Sequence, residues 1–241
     1  MIREKLALEK KRTYTEQPKI LVATDCCVFG FDKGILKLLV FRRRIDPFKG
    51  EWSLIGSFVD EEESVTEAAR RVLLEFTGLE NIFLEELKVY SDVERDSGAR
   101  CISVAQYALI RINDYDKEQV ERHGAKWFAI DEIPNLVLDH NVMVADALDR
   151  LRQKTTRAPI GFELLPEKFT IPQLQSLYEA ICQRKLDDRN FRKKLLSFGL
   201  LIKLDEKDKT TSKKGAFLYK FDHDKYKNLE ESGFNFVLKP L

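Results

Sequence analysis

The 241-residue sequence predicts an α+β protein in two parts, with mixed strands and helices over residues 1–157 and a smaller, helix-rich part over residues 158–241. In the first part, apolar runs of strand length alternate with two long stretches of helical periodicity. In the second part, two helical stretches are followed by two short strands. A polar stretch at residues 155–159, which ends in Ala-Pro, predicts a linker between the parts.

Apolar runs in the first part predict five strands, at residues 20–31, 35–42, 87–93, 102–112 and 125–130. The first two runs flank Asp32-Lys33-Gly34, which is typical of a hairpin turn. Two helices are predicted over residues 63–76 and 141–154, and Gly78 should end the first. We expect the apolar side of the second helix to consist of Val142, Val144, Ala145, Leu148 and Leu151. Strands flanked by helices in this order predict an α/β/α sandwich.

The helices of the second part begin at residues suited to capping. Thr170 can cap a helix over residues 171–182, and Asp187 or Asp188 can cap a second helix over residues 188–197. On the second helix we expect Phe191, Leu195 and Leu196 to point inward. Strands at residues 200–204 and 216–221 then surround the loop DEKDKTTSKKG. Helix, turn, helix and hairpin form the order of a winged helix-turn-helix.

Composition argues against several classes of protein. The chain is 44% hydrophobic, and its 41 basic and 40 acidic residues leave a net charge of +1, so the overall charge does not indicate a nucleic-acid partner. The sequence has no apolar run long enough to span a membrane and no signal-peptide pattern. The four cysteines lack C-x-x-C spacing, which argues against a zinc or redox site. We therefore expect a reduced, cytoplasmic setting.

Positive charge is concentrated locally in the second part. Residues 184–214 contain eleven Lys or Arg and five Asp or Glu, a local balance of +6. A solvated helix beside a lysine-rich loop would give the same count, but its coincidence with a winged helix favours DNA binding. The second helix of such a unit enters the major groove. The DNA-binding candidates are Arg189, Asn190, Arg192, Lys193, Thr210, Thr211, Ser212, Lys213, Lys214 and Gly215. The basic segment at residues 3–12 is a candidate for a further arm.

Residues 56–79, GSFVDEEESVTEAARRVLLEFTGL, resemble a Nudix box. Glu63, Arg71, Leu73, Glu75, Gly78 and Leu79 fit the pattern. Ser57 replaces a glycine, and Val72 and Phe76 replace two glutamates that the resemblance implies as ligands of Mg²⁺ or Mn²⁺ on one helix face. We therefore expect no metal and no enzymatic activity. The alternatives are a divergent hydrolase that uses Glu63 and Glu75, or an ordinary amphipathic helix.

A degenerate Nudix domain over residues 1–157, followed by a winged helix, is similar to the Nudix-related transcriptional regulators of the NrtR family. The segments FRRRIDPFKGEWSLIGSFV and VYSDVERDSGARCISVAQYALI add to the resemblance. It implies a homodimer that binds palindromic operator DNA and a small effector in the Nudix domain. Some branches of the family respond to ADP-ribose-type metabolites of NAD, and others to pentoses. The sequence looks most like the arabinose-responsive branch, AraR, of the Bacteroidetes.

The resemblance therefore implies a repressor of sugar utilisation that L-arabinose releases from its operator, without a cofactor. A neutral sugar needs hydrogen-bonding side chains and an aromatic surface. Candidates near the expected cleft are Lys49, Trp52, Glu63, Arg71, Asp92, Glu94, Arg95, Trp127 and His140. We expect Arg71 to brace the box loop by pairing with Glu63 or Glu75, and the two tryptophans to lie partly in the core.

Overall fold

The structure is a computed structural model that describes residues 15–112, 114–210, 214–233 and 236. The basic segment at residues 3–12 and the wing residues Thr211, Ser212 and Lys213 lie outside the described residues. Within the described chain, no helix combines the length and the apolar character needed to cross a membrane.

The first part is built on a seven-stranded mixed sheet. Its strands are β1 (Leu21–Asp32), β2 (Ile35–Arg42), β3 (Trp52–Ser53), β4 (Ile55–Phe58), β5 (Glu85–Tyr90), β6 (Cys101–Arg111) and β7 (Ala125–Ala129). The order is β3-β2-β1-β6-β5, and β4 pairs with β1 while β7 pairs with β2. Strands β1 and β6 run parallel at the centre. The predicted hairpin turn is confirmed, because Asp32 pairs with Ile35 across Lys33 and Gly34, both at positive φ.

Six helices lie in the described residues: α1 (Val65–Thr77), α2 (Asp114–Arg122), α3 (His140–Arg157), α4 (Ile171–Cys182), α5 (Asp188–Ser197) and α6 (His223–Glu231). A small second sheet has the order β8-β10-β9, formed by β8 (Phe169–Thr170), β9 (Leu201–Asp208) and β10 (Ala216–Phe221). Helices α4 and α5 with this sheet form the predicted winged helix-turn-helix.

The alternation of side chains along β1 produces the layers of the sandwich. Cys26 and Val28 belong to an apolar core with α1 and α2, whereas Cys27 and Phe29 belong to a second core with α3. Successive residues of a strand point to opposite faces of the sheet, so one central strand contributes to both cores. The predicted α/β/α sandwich is therefore confirmed. The second core continues without a break into α4, α5 and β10.

The linker predicted at residues 155–159 is wrong in its first three residues, which are helical. Helix α3 continues through Arg157, and Thr155 is buried within it. A polar sequence therefore remains helical here, because one side of the helix still packs against its neighbours.

The inward faces of two helices also differ from prediction. On α3, Met143 and Ala147 are buried, whereas Val142 is 54% exposed and Ala145 is exposed. On α5, Leu196 is 38% exposed beside the buried Leu195. Neighbours on a helix are separated by about 100° around its axis, so adjacent apolar residues cannot all face the core.

The wing is longer in its strands and shorter in its loop than expected, because β9 continues to Asp208. Helices α2 and α6 were not predicted. Both are strongly polar segments that lack a broad apolar stripe.

Helix α1 should be sensitive to loss of its N-terminal cap. The Ser64 hydroxyl accepts from the Glu67 amide at 3.3 Å, and the Ser64 amide donates to the Glu67 carboxylate at 2.8 Å, which together form a capping box. Ser64→Ala should lower the free energy of unfolding by about 1 kcal/mol in urea denaturation followed by circular dichroism. The matched control is Thr66→Ala on the exposed side of the same helix. An equal loss in both variants would contradict a specific role for the cap.

Candidate functional site

A cavity of about 140 Å³ lies between the central strands, the end of α1 and the start of α3. Asp25 of β1, Ser53 of β3, Arg95 and His140 supply buried polar groups to it. Phe41, Phe58 and Phe76 supply aromatic surface, while Arg43 and Arg44 add positive charge. Aromatic walls around a few convergent polar groups are typical of a small-molecule site.

The buried polar groups form a pocket network of five side chains: Asp25, Arg95, Ser103, Asp139 and His140. Arg95 makes a bidentate ion pair with Asp139, with nitrogen–oxygen distances of 2.8 and 2.9 Å. Its guanidinium lies 3.7 Å from a carboxylate oxygen of Asp25, which also accepts from the Ser103 hydroxyl at 2.6 Å. The Arg95 side chain is only 2% exposed, so the pairing compensates for the cost of burying its charge.

The hydrogen bonds of His140 determine its tautomer. The Leu54 backbone amide donates to Nδ1 at 3.1 Å, so Nδ1 must be unprotonated and Nε2 carries the hydrogen of the neutral ring. Nε2 lies 3.5 Å from Asp25 Oδ1, toward which it can donate. Burial lowers the pKa of His140 from its ordinary value, despite the nearby carboxylates. A neutral His140 leaves the pocket network with two carboxylates and one guanidinium.

Gly56 allows the network to approach β4. A Cβ atom at this position would lie 2.1 Å from Asp25 Oδ1 and 2.7 Å from the Thr24 carbonyl oxygen. Both distances are far below van der Waals contact, so only glycine fits beside Asp25 as it is placed here.

The Nudix-like segment retains its frame around Arg71. The Arg71 guanidinium donates to Glu63 at 3.0 Å and to the Phe58 carbonyl at 3.1 Å, which holds the loop before α1 as the sequence suggested. The hydrogen bond from Arg71 lowers the pKa of Glu63 to about 2. Glu75 lies farther away, at 3.9 Å from Arg71.

Two of the three positions that depart from the Nudix pattern, Val72 and Phe76, serve apolar packing. Val72 is fully buried in the core beneath α1, and Phe76 lines the cavity with its ring centroid 4.9 Å from that of Phe41. Neither side chain can ligate a hard cation. Among the described residues, no three His, Cys, Asp or Glu side chains are grouped so that they could hold a metal ion.

The structure brings only part of the predicted effector set to the cavity. Arg95 and His140 line it, whereas Glu63 in the loop before α1 and Arg71 within α1 are not among its lining residues. Lys49, Asp92 and Glu94 lie on exposed loops, and Trp52 and Trp127 pack against the cores. The cavity lining therefore includes none of these five residues, Lys49, Asp92, Glu94, Trp52 and Trp127. Lys49, for example, is exposed in the loop between β2 and β3, so proximity in sequence to Trp52 did not place it at the site.

Sequence reasoning missed Asp25, Ser53, Ser103 and Asp139. One indication was available for Asp25, since it is the only acidic residue within the apolar run LVATDCCVFGF. A carboxylate inside a buried strand is costly unless it is paired, and is therefore a candidate for function.

The winged helix presents its basic residues as predicted. Asp187 caps α5 by accepting from the Asn190 amide at 2.8 Å. The side chains of Arg189, Asn190, Arg192 and Lys193 are exposed at the N-terminal half of this helix. Arg192 also reaches the Tyr219 hydroxyl at 3.5 Å. The arrangement leaves Arg189, Asn190 and Lys193 able to contact base edges or phosphates.

The described part of the wing supplies further polar and basic groups. Thr210 donates to Asp208 at 2.8 Å, Lys214 is exposed, and Gly215 adopts a positive φ of 69°. Lys203 and Lys207, which sequence reasoning did not select, lie 3.8 and 4.5 Å from the Phe217 ring centroid. Such cation–π contacts hold both ammonium groups on one face of the hairpin.

Comparisons with known proteins match both parts of the chain. Residues 19–147 match the sequence model of the NUDIX domain, and residues 161–221 match that of the NrtR DNA-binding winged helix domain. The ADPR responsive transcriptional repressor NtrR of Acinetobacter baylyi is 30% identical over 226 residues, which cover 92% of this chain and 88% of that protein. The ADP-ribose pyrophosphatase of Methanocaldococcus jannaschii is 34% identical over 143 residues, covering 59% of this chain and 80% of that protein.

A solved structure supports the same assignment over the whole length. Shewanella oneidensis NrtR, crystallised in complex with a 27mer DNA, has a TM-score of 0.73 and 27% identity, and the match covers 91% of this chain and 99% of that one. The pyrophosphatase shares only the first part, whereas the two regulators share both parts in the same order. The chain therefore belongs to the NrtR family of Nudix-domain transcriptional regulators.

Proposed function

We propose that this protein is a ligand-responsive transcriptional repressor. Its winged helix binds a palindromic operator as part of a homodimer, and a small molecule in the cavity of the Nudix domain weakens that binding. The observation that carries the proposal is the combination of a buried pocket network with an exposed basic α5 in one chain. A ligand can shift DNA affinity only if it binds one conformation better than the other.

We propose L-arabinose as the effector and sugar-utilisation genes as the target. The cavity of about 140 Å³ has room for a single sugar ring. The pocket network carries two carboxylates against one guanidinium and would accept hydrogen bonds from sugar hydroxyls. Phe41 and Phe76 offer an apolar surface for the C–H face of the ring.

ADP-ribose is the second candidate effector, because the relative from Acinetobacter baylyi is named as ADPR responsive. Arg43 and Arg44 line the cavity and could approach phosphate groups. At present Arg43 donates to the Pro47 carbonyl at 2.6 Å and Arg44 to the His123 carbonyl at 2.9 Å. Binding a diphosphate would therefore require both guanidinium groups to leave these partners.

We infer that the Nudix domain has lost hydrolysis, since Val72 and Phe76 occupy two ligand positions of the family pattern. The alternative interpretation is a divergent hydrolase, which the similarity to the pyrophosphatase from Methanocaldococcus jannaschii favours. Glu63 would be a poor metal ligand for such an enzyme, because its carboxylate is already paired with Arg71.

Effector identity is tested by thermal unfolding with L-arabinose, D-ribose, sugar phosphates and ADP-ribose. L-arabinose should raise the unfolding temperature, since at one hundred times its Kd a ligand adds about 2.7 kcal/mol to stability. Asp25→Asn should abolish that ligand-induced increase, whereas the exposed Asp131→Asn should retain it. Stabilisation by ADP-ribose alone would replace L-arabinose with the second candidate.

Base recognition by α5 is tested with Arg189→Ala on operator DNA selected from random sequences by the wild-type protein. Loss of a bidentate contact with guanine should weaken specific binding by about 1–3 kcal/mol, roughly 5- to 150-fold. Arg70→Ala serves as the control, because it removes an exposed arginine side chain from α1. Equal affinities of the wild type and Arg189→Ala would exclude the base-reading role.

Loss of hydrolysis is tested by incubating the protein with ADP-ribose and Mg²⁺. We expect turnover indistinguishable from the reaction without protein, because too few carboxylates remain to hold a metal against a diphosphate. Turnover that requires Mg²⁺ and disappears in Glu75→Gln would identify a hydrolase instead.

A further inference from the structure

Helix α3 joins the cavity to the winged helix. Its 18 residues span about 27 Å at 1.5 Å per residue. His140, its first residue, lines the cavity, and Asp139 immediately before it pairs with Arg95. At the other end, Arg152 donates to the Ile181 carbonyl of α4 at 3.4 Å, and the Thr155 hydroxyl lies 3.8 Å from the sulfur of Cys182.

Helix α4 is in turn fixed to the turn that leads into α5. The Gln175 side chain donates to the Leu186 carbonyl at 3.2 Å and to the Asp188 carboxylate at 2.7 Å. The Leu186 amide donates to Glu179 at 3.0 Å. Tyr178 packs edge-on against Phe191 of α5. A displacement of α4 would therefore carry α5 with it.

The start of α3 has the character of a two-state element. Asp139 occupies the N-cap position, for which aspartate is a preferred residue, yet its carboxylate makes no capping hydrogen bond. The capping residues Ser64, Thr170 and Asp187 have ψ values of 162°, 153° and 118°, whereas that of Asp139 is 15°. The Asp139 carboxylate pairs with Arg95 instead. A ligand that engages Arg95 would free the carboxylate to cap α3, with a change in the backbone at the start of the helix.

We propose that the Arg95–Asp139 ion pair is the switch of this regulator, and that α3 relays its breaking to α4 and α5. The paired state is the DNA-binding state, and the effector favours the state in which Asp139 has left Arg95. This inference rests on the proposed function, since it assumes that a ligand in the cavity controls DNA binding. The Arg95–Asp139 ion pair would be formed in one state and broken in the other, and ligand control requires such a difference between the two states.

The test breaks the pair without a ligand. Asp139→Asn keeps a good N-cap residue but removes the ion pair, and should weaken binding to the selected operator about five- to tenfold or more, within the usual range of allosteric coupling. Asp131→Asn, an exposed change of the same type, should leave the affinity at the wild-type value. Since Asp139→Asn leaves a buried guanidinium without its main partner, the double variant Arg95→Gln with Asp139→Asn provides a neutral replacement and should behave in the same way.

The relay is tested in a double-mutant cycle. Arg152→Gln removes the bond to α4 and should reduce the effect of Asp139→Asn on operator affinity. Arg150→Gln is the matched control, because Arg150 donates to the Leu87 carbonyl within the first part of the chain. An equal effect of Asp139→Asn in the Arg152→Gln background would overturn the relay. Wild-type affinity in both folded pair-breaking variants would overturn the switch.

Hydrogen–deuterium exchange separates this inference from the proposed function. If the wild type selects no DNA, the proposed function is wrong, but exchange can still be measured. The switch then requires faster amide exchange in α4 and α5 of Asp139→Asn than in the wild type, and a smaller increase when Arg152→Gln is also present. Unchanged exchange in these helices would reject the inference whether or not DNA is bound.

Discussion

The burial of Arg95 is the constraint on which the site depends. A guanidinium that is almost completely removed from water needs fixed carboxylates, and here they come from two distant segments, the centre of β1 and the residue before α3. The ion pair with Asp139 ties the loop between β5 and β6 to the helix, while Asp25 ties it to the sheet. Ser103 and His140 complete the arrangement around the same carboxylates. Removing either acid would leave a buried charge poorly compensated, so the pocket can change only if several groups change together.

Helix α1 contributes both to the retained Nudix-like loop and to the wall of the cavity. Arg71 and Glu63 still hold the loop that enters α1, and Gly78 still ends the helix in a left-handed conformation. Val72 and Phe76 have turned the remaining positions into core and aromatic wall.

Local patterns predicted the elements whose boundaries are set by local chemistry. The bounds of α4 and α5 follow from Thr170, Asp187 and the spacing of their apolar residues. Helices α2 and α6 were missed, because both sequences are mostly polar and lack a broad apolar stripe. The linker was misplaced because Thr155 is buried by α4, a neighbour that only the tertiary structure supplies.

The site was predicted only in part, since Asp25, Arg95, Ser103 and Asp139 are scattered over more than a hundred positions. Their approach depends on the parallel pairing of β1 with β6 and on the path of the loop before α3. Arg95 and His140 could be selected as polar residues of suitable type, whereas their partners could not.

The bare backbone of Gly56 lies against Asp25 and the backbone of β1. A side chain at residue 56 would meet both the Asp25 carboxylate and the Thr24 carbonyl oxygen. Loss of the carboxylate alone would therefore not make room for it, because the backbone of β1 would still stand in the way. A substitution at residue 25 can change the polarity of the site, but it leaves residue 56 restricted to glycine unless the two strands also move apart.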